Sequence, residues 1–99
     1  MSVVRRKQAA TFLRRRVKIR NARGLHAQAS AKFVRCASSF DAEIVVARRG
    51  VIVSGLSIMG LLTLAASRGT MIEIRATGRV AEAAMDALCT LVRDRFGED

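Results

Sequence analysis

Short stretches of alternating apolar and polar residues recur along this chain, separated by longer stretches whose apolar residues return at helical spacing. Val17 and Ile19 point one way and Lys18 and Arg20 the other, the two-residue period of a half-exposed strand. Arg15 falls on the apolar side of that alternation, so the regular strand is expected to start near Arg16. Asn21 to Gly24 read as a turn, and a helix over residues 27–38 follows. Its buried stripe is expected to run through Ala29, Phe33, Cys36 or Ala37, with Phe40 in the exit. Residues 43–47 and 51–54 read as two strands joined by a tight hairpin at Arg48-Arg49-Gly50. Ser57 is suited to cap a short helix carrying Ile58, Met59, Leu61, Leu62, Leu64, Ala65 and Ala66, with Gly69 closing it. Residues 71–76 alternate again, Ile72 and Ile74 against Glu73 and Arg75. A last helix over residues 79–95 presents Val80, Ala83, Ala84, Ala87, Leu88, Leu91 and Val92 inward, and Gly97, Glu98 and Asp99 make a polar end. The order β-α-β-β-α-β-α predicts an α+β fold: a four-stranded, mainly antiparallel sheet covered on one face by three helices.

Ninety-nine residues suffice for one core, so the expected organisation is a flexible basic arm over residues 1–10 and a single domain over residues 11–99. Hydrophobic residues make up 51%, yet no apolar run is long enough to span a bilayer, and the arginine-rich start lacks the apolar stretch of a secretory signal. A cytoplasmic protein is the expectation. Cys36 and Cys89 lie far apart in predicted helices among apolar neighbours, which reads as two buried free thiols rather than a disulfide or metal site.

The formal net charge of +10 raises the question of nucleic acid. Residues 1–20 hold eight basic side chains and no acidic one, whereas residues 21–99 hold ten basic and eight acidic. The excess therefore sits on the arm and the first strand. Tyr and Trp are absent and only four Phe are present, too few for a base-stacking platform. Such an arm fits a solvated tail, or a steering charge for an acidic protein partner, better than a sequence reader.

The single histidine, His26, follows Gly24-Leu25 at the point where the first helix begins. A helix start gathers unpaired N–H groups and positive dipole, a natural seat for phosphate. An imidazole there has the means to carry a phosphoryl group on one ring nitrogen while amides hold the phosphate oxygens. The plainer reading is a residue that only caps or packs the helix.

Two segments resemble a known family. Gly24-Leu25-His26-Ala27 opens the first helix and Leu56-Ser57-Ile58-Met59-Gly60-Leu61-Leu62 opens the second, at the separation found in the histidine-containing phosphocarrier (HPr) family of the bacterial phosphoenolpyruvate-dependent phosphotransferase system. The resemblance covers residues 11–96 and implies that family's open-faced β-sandwich. Asn21-Ala22-Arg23-Gly24-Leu25-His26 and Phe40-Asp41-Ala42-Glu43 are similar to segments of its nitrogen-branch member (NPr), features shared by some sugar-branch carriers. The resemblance implies that His26 Nδ1 accepts phosphate from phosphorylated enzyme I and passes it to a histidine of an EIIA-type protein. Gly24, Ala27 and Gln28 would support the phosphate. Ser57 falls on the family's regulatory serine, the target of an HPr kinase/phosphorylase where one exists. Arg23, Leu56, Met59 and Leu62 fall on the partner-docking surface, with Met59 the expected contact and Leu61 and Leu62 expected to pack inward. Neither a cofactor nor a metal is implied, and a monomer is expected.

Two positions depart from the family pattern. Gln28 stands where arginine is usual and Ala29 where proline follows. Alanine is a good helix former, so the second change matters little. The first replaces a charged, forked donor by a neutral one, with Arg23 or Lys32 as candidate substitutes for the missing charge. Slower or altered transfer is the expectation. A regulatory binding module of the same fold, with relay activity weakened or lost, is the alternative that Gln28 keeps open.

Overall fold

The computed structural model describes residues 11–98, and the expected basic arm lies outside them. Strands β1 (Thr11–Lys18), β2 (Glu43–Arg48), β3 (Val51–Ser54) and β4 (Met71–Gly78) form one sheet in the order β1-β4-β2-β3. Each neighbouring pair is antiparallel. Helices α1 (Ala27–Ser38), α2 (Ile58–Thr63) and α3 (Ala81–Arg93) are followed by a 3-10 turn, Arg95–Gly97. This is the predicted βαββαβα fold.

Side-chain alternation decides which face of the sheet is covered. Ile44 and Val46 of β2 and Ile72, Ile74 and Ala76 of β4 are buried and belong to the same core as Ala29, Phe33, Leu61, Met85 and Leu88 of the helices. The β2–β3 hairpin turns through Arg49 and Gly50, both at positive φ (52° and 81°), the condition for a two-residue turn whose twist matches the strands. Arg48 itself remains in β2, and its guanidinium donates to the Leu64 carbonyl at 2.9 Å. That bond occupies a carbonyl just past the end of α2.

Several boundaries differ from the sequence reading. β1 begins at Thr11 rather than near Arg16, because it pairs with β4 along its whole length, from Thr11 opposite Gly78 to Lys18 opposite Met71. Ladder hydrogen bonding carries the arginines into the strand whatever their polarity. Arg15 stays exposed and reaches Asp86 of α3 at 3.0 Å. Ile19 has left the ladder and is fully buried, its N–H bonded to the Thr70 carbonyl and its own carbonyl accepting from Gly69. Gly69 thus serves the turn into β4 and does not close α2. That helix ends at Thr63, and Ala65 makes the left-handed exit at φ 49°.

In α1 the buried stripe is Ala29, Ser30, Phe33 and Ala37, with Cys36 only half-buried. Helix α3 starts at Ala81 and buries Ala81, Ala84, Met85, Leu88, Cys89 and Val92. Val80 and Ala83 are exposed, and Ala87 and Leu91 are half-buried. The alanine-rich segment offers a wide apolar arc, and packing turns Met85 and Cys89 inward because they fill more space. Burial pushes both cysteine thiols above their ordinary pKa, which favours the unreactive protonated form. Among the described residues no helix is long and apolar enough to cross a membrane.

Phe33 stands at the centre of this packing with no exposed surface. Phe33→Ala is expected to cost about 3–5 kcal/mol, measured by denaturant unfolding.

Candidate functional site

The turn between β1 and α1 presses against the chain beyond α2. Leu25 N–H donates to the Ala66 carbonyl at 2.9 Å. Gly24 takes φ +67°, and a Cβ there would lie 2.5 Å from Ala66 O, so only glycine fits. Asn21 is completely buried and donates its side-chain amide to Gly24 O at 2.8 Å, closing the turn from within.

His26 is the N-cap of α1, in extended conformation (φ −75°, ψ −177°). The first intrahelical bond runs from Ser30 N–H to His26 O. The amides of Ala27, Gln28 and Ala29 therefore have no carbonyl within the helix to meet. Gln28 N–H donates to His26 Nδ1 at 3.3 Å. The plainer reading of His26 is thus realised: it caps the helix. The same contact puts Nδ1 at the amide end of the helix dipole. The side chain keeps 15% of its exposure.

The other ring nitrogen meets a residue read from the sequence only as part of a polar tail. Glu98 Oε2 lies 2.5 Å from His26 Nε2, and Glu98 Oε1 accepts from Asn21 Nδ2 at 3.1 Å. Arg95, Phe96 and Gly97 all take positive φ, which is costly by about 1–2 kcal/mol for each residue with a side chain. Burial of Phe96 and a bond from Lys32 Nζ to its carbonyl at 2.7 Å hold the turn against that strain. Partial burial pushes the Glu98 carboxyl up, but hydrogen bonds from His26 and Asn21, with the positive charge of Arg23, outweigh it and hold the group below the ordinary carboxylate value. Nothing in the local pattern marks Glu98, which is 72 residues from His26.

Of the two candidates for the missing charge, Lys32 is engaged by Phe96 O, whereas Arg23 is exposed and acts electrostatically on Glu98. Ala27 and Gln28 are exposed at the helix start. Ser57 caps α2, accepting from Gly60 N–H at 2.8 Å. Beside it Leu56, Ile58 and Met59 are exposed, Met59 to 73%, whereas Leu62 is half-buried and Leu61 is core. A groove of about 560 Å³ lies elsewhere, around Arg16, Arg49 and Arg75. His26 does not line it.

Comparisons with known proteins place the chain in a family. A family model described as "PTS HPr component phosphorylation site" matches residues 13–94. A phosphocarrier protein HPr of Neisseria meningitidis serogroup A is 45% identical over 87 residues, which cover 88% of this chain and 98% of that protein. A phosphocarrier protein NPr of Shewanella violacea is 43% identical over 88 residues, covering 89% and 97%. The crystal structure of an HPr from Thermoanaerobacter tengcongensis superposes with a TM-score of 0.84 at 37% identity, covering 88% of this chain and 98% of that one. The chain belongs to the HPr family of phosphocarriers of the phosphotransferase system. Such a protein relays a group and is not a catalyst in its own right.

Two outcomes follow from the site's contacts. Ser57→Ala should lose about 1 kcal/mol of stability, whereas Ser57→Asp retains a cap at the positive helix end; urea denaturation of the two variants separates them. Glu98, with its pKa lowered on folding, stabilises the fold above the ordinary carboxylate value of 4.5 and loses that contribution as pH falls through the folded value. The melting temperatures of the wild type and Glu98→Gln should therefore differ at neutral pH and converge in acid.

Proposed function

We propose that His26 is the phosphoryl acceptor of this phosphocarrier, taking the group on Nδ1 from phosphorylated enzyme I and passing it to a histidine of an EIIA-type protein. The observation that carries this reading is the imidazole at the start of α1, with Nδ1 directed at the free amide end of the helix. A phosphoryl group on that nitrogen replaces the Gln28 amide's present acceptor with phosphate oxygens, and the neighbouring Ala27 amide offers a second donor. Gly24 contributes by letting the turn sit close to Ala66. The partner proteins supply most of the transition-state stabilisation, and this chain supplies nucleophile and amides.

Leu56 and Met59, with Leu62 at their edge and Arg23 in the facing turn, form the docking surface in this reading. Ser57 stands at its centre. Phosphate added there by an HPr kinase/phosphorylase brings about −2 charge onto an apolar contact area and weakens docking by repulsion and desolvation. Residues 11–99 act as the carrier domain, in the cytoplasm and as a monomer, and the basic arm steers acidic partners rather than nucleic acid. HPr and NPr relatives match this chain almost equally, so either the sugar or the nitrogen branch suits it.

Incubation with phosphoenolpyruvate and enzyme I tests the assignment. The expected product is an acid-labile, alkali-stable phosphate that His26→Ala abolishes; its absence from the wild type favours a regulatory binding module instead. In the same relay Gln28→Arg should speed transfer, because a guanidinium adds a charged donor where glutamine offers a neutral one. Unchanged rates would show that Arg23 already fills that role.

A further inference from the structure

Resting on that reading of His26, we propose that Glu98 is a positioning residue that holds the imidazole as its Nε2–H tautomer and so keeps Nδ1 free as the nucleophile. The argument is one of hydrogen-bond polarity. A backbone amide only donates, so Nδ1, which faces Gln28 N–H, presents a lone pair. An ionised carboxylate only accepts, so Nε2, which faces Glu98 Oε2, carries the proton. The two contacts lie on opposite nitrogens and demand the same tautomer. A half-turn of the ring would lose both.

The surroundings of Glu98 are built to deliver it. The left-handed turn at Arg95–Gly97 redirects the chain from the end of α3 toward His26, with Phe96 sunk in the core as its anchor. Lys32 of α1 holds the Phe96 carbonyl, and Asn21 holds the second carboxylate oxygen. The Asn21 amide also grips Gly24 O, so one buried side chain ties the histidine's turn and its carboxylate together. Asn21 Oδ1 has no partner among the described residues, as expected of a side chain oriented by what its amide nitrogen must reach.

In transfer, the Nδ1 lone pair forms a bond to phosphorus as the P–N bond of the donor phosphohistidine breaks, its electron pair leaving with the donor nitrogen. The Nε2 proton stays in place. The positive charge that spreads over the ring is met by the Glu98 carboxylate, on the side away from the incoming phosphate. Onward transfer returns the electron pair to Nδ1. With the opposite tautomer Nδ1 is blocked by its own hydrogen, and Nε2 faces a carboxylate.

Because His26 is the only histidine, long-range ¹⁵N–¹H spectra of the full-length chain report its tautomer without ambiguity. At a pH where the ring is neutral, the wild type should show a fully pyridine-type Nδ1 and pyrrole-type Nε2. In Glu98→Gln and Glu98→Ala, both shifts should move toward an average of the two forms. Phosphoryl acceptance from enzyme I should fall by about tenfold to a hundredfold, as for other ring-orienting carboxylates, with the loss in kcat and not in KM. Variants that keep the wild-type shifts and rate would overturn the proposal, as would a wild type found as the Nδ1–H form. A wild type with the expected tautomer that takes no phosphate would refute the acceptor reading instead and leave the tautomer result standing.

Discussion

One backbone hydrogen bond, from Leu25 N–H to the Ala66 carbonyl, joins the turn that carries His26 to the segment leaving the serine-capped helix. It forms only because Gly24 has no side chain, since any Cβ would run into that same carbonyl. Segments more than forty residues apart in the chain are brought together by this contact. It adds to the direct packing of α1 against α2 in setting where the α1 start lies.

The ring of His26 sits between opposite electrostatic environments. On the Nδ1 side are backbone amides and the positive end of a helix, which favour a transferable anion. On the Nε2 side is a carboxylate, which favours positive charge on the ring. Carboxylate and phosphoryl group would repel each other on the same nitrogen; on opposite nitrogens they polarise the ring in one direction. The strained turn at Arg95–Gly97 is the structural expense of that arrangement, and backbone strain of this kind is typical of functional positions.

Away from this surface the sheet shows its uncovered face. Arg14, Arg16 and Lys18 lie exposed along β1, and Arg75 lies beside Glu73 on β4. The location of the charge in sequence pointed to the first strand, and the register confirms that these side chains share the side opposite the core helices. A field of that sign suits diffusion toward acidic proteins.

Element order, the hairpin at Arg49-Gly50, the Ser57 cap and the start of α1 at Ala27 were legible in the chain, because turn residues, caps and short-period patterning act over a few neighbouring residues. The same local logic marked Gly24 and His26. It failed where a decision belongs to packing between distant segments. Ladder pairing with β4 drew charged residues into β1, the bulk of Met85 and Cys89 rotated α3, and Gly69 was claimed by Ile19 rather than by the helix before it. Glu98 was invisible for the same reason. Its partner is 72 residues away, and only a chain already folded through a buried Phe96 and a strained turn brings the two together. The sequence by itself determined which nitrogen-bearing side chain stands at a helix mouth, since that is local chemistry. The tertiary structure alone decided which carboxylate faces its other nitrogen, since that depends on how segments 72 residues apart pack together.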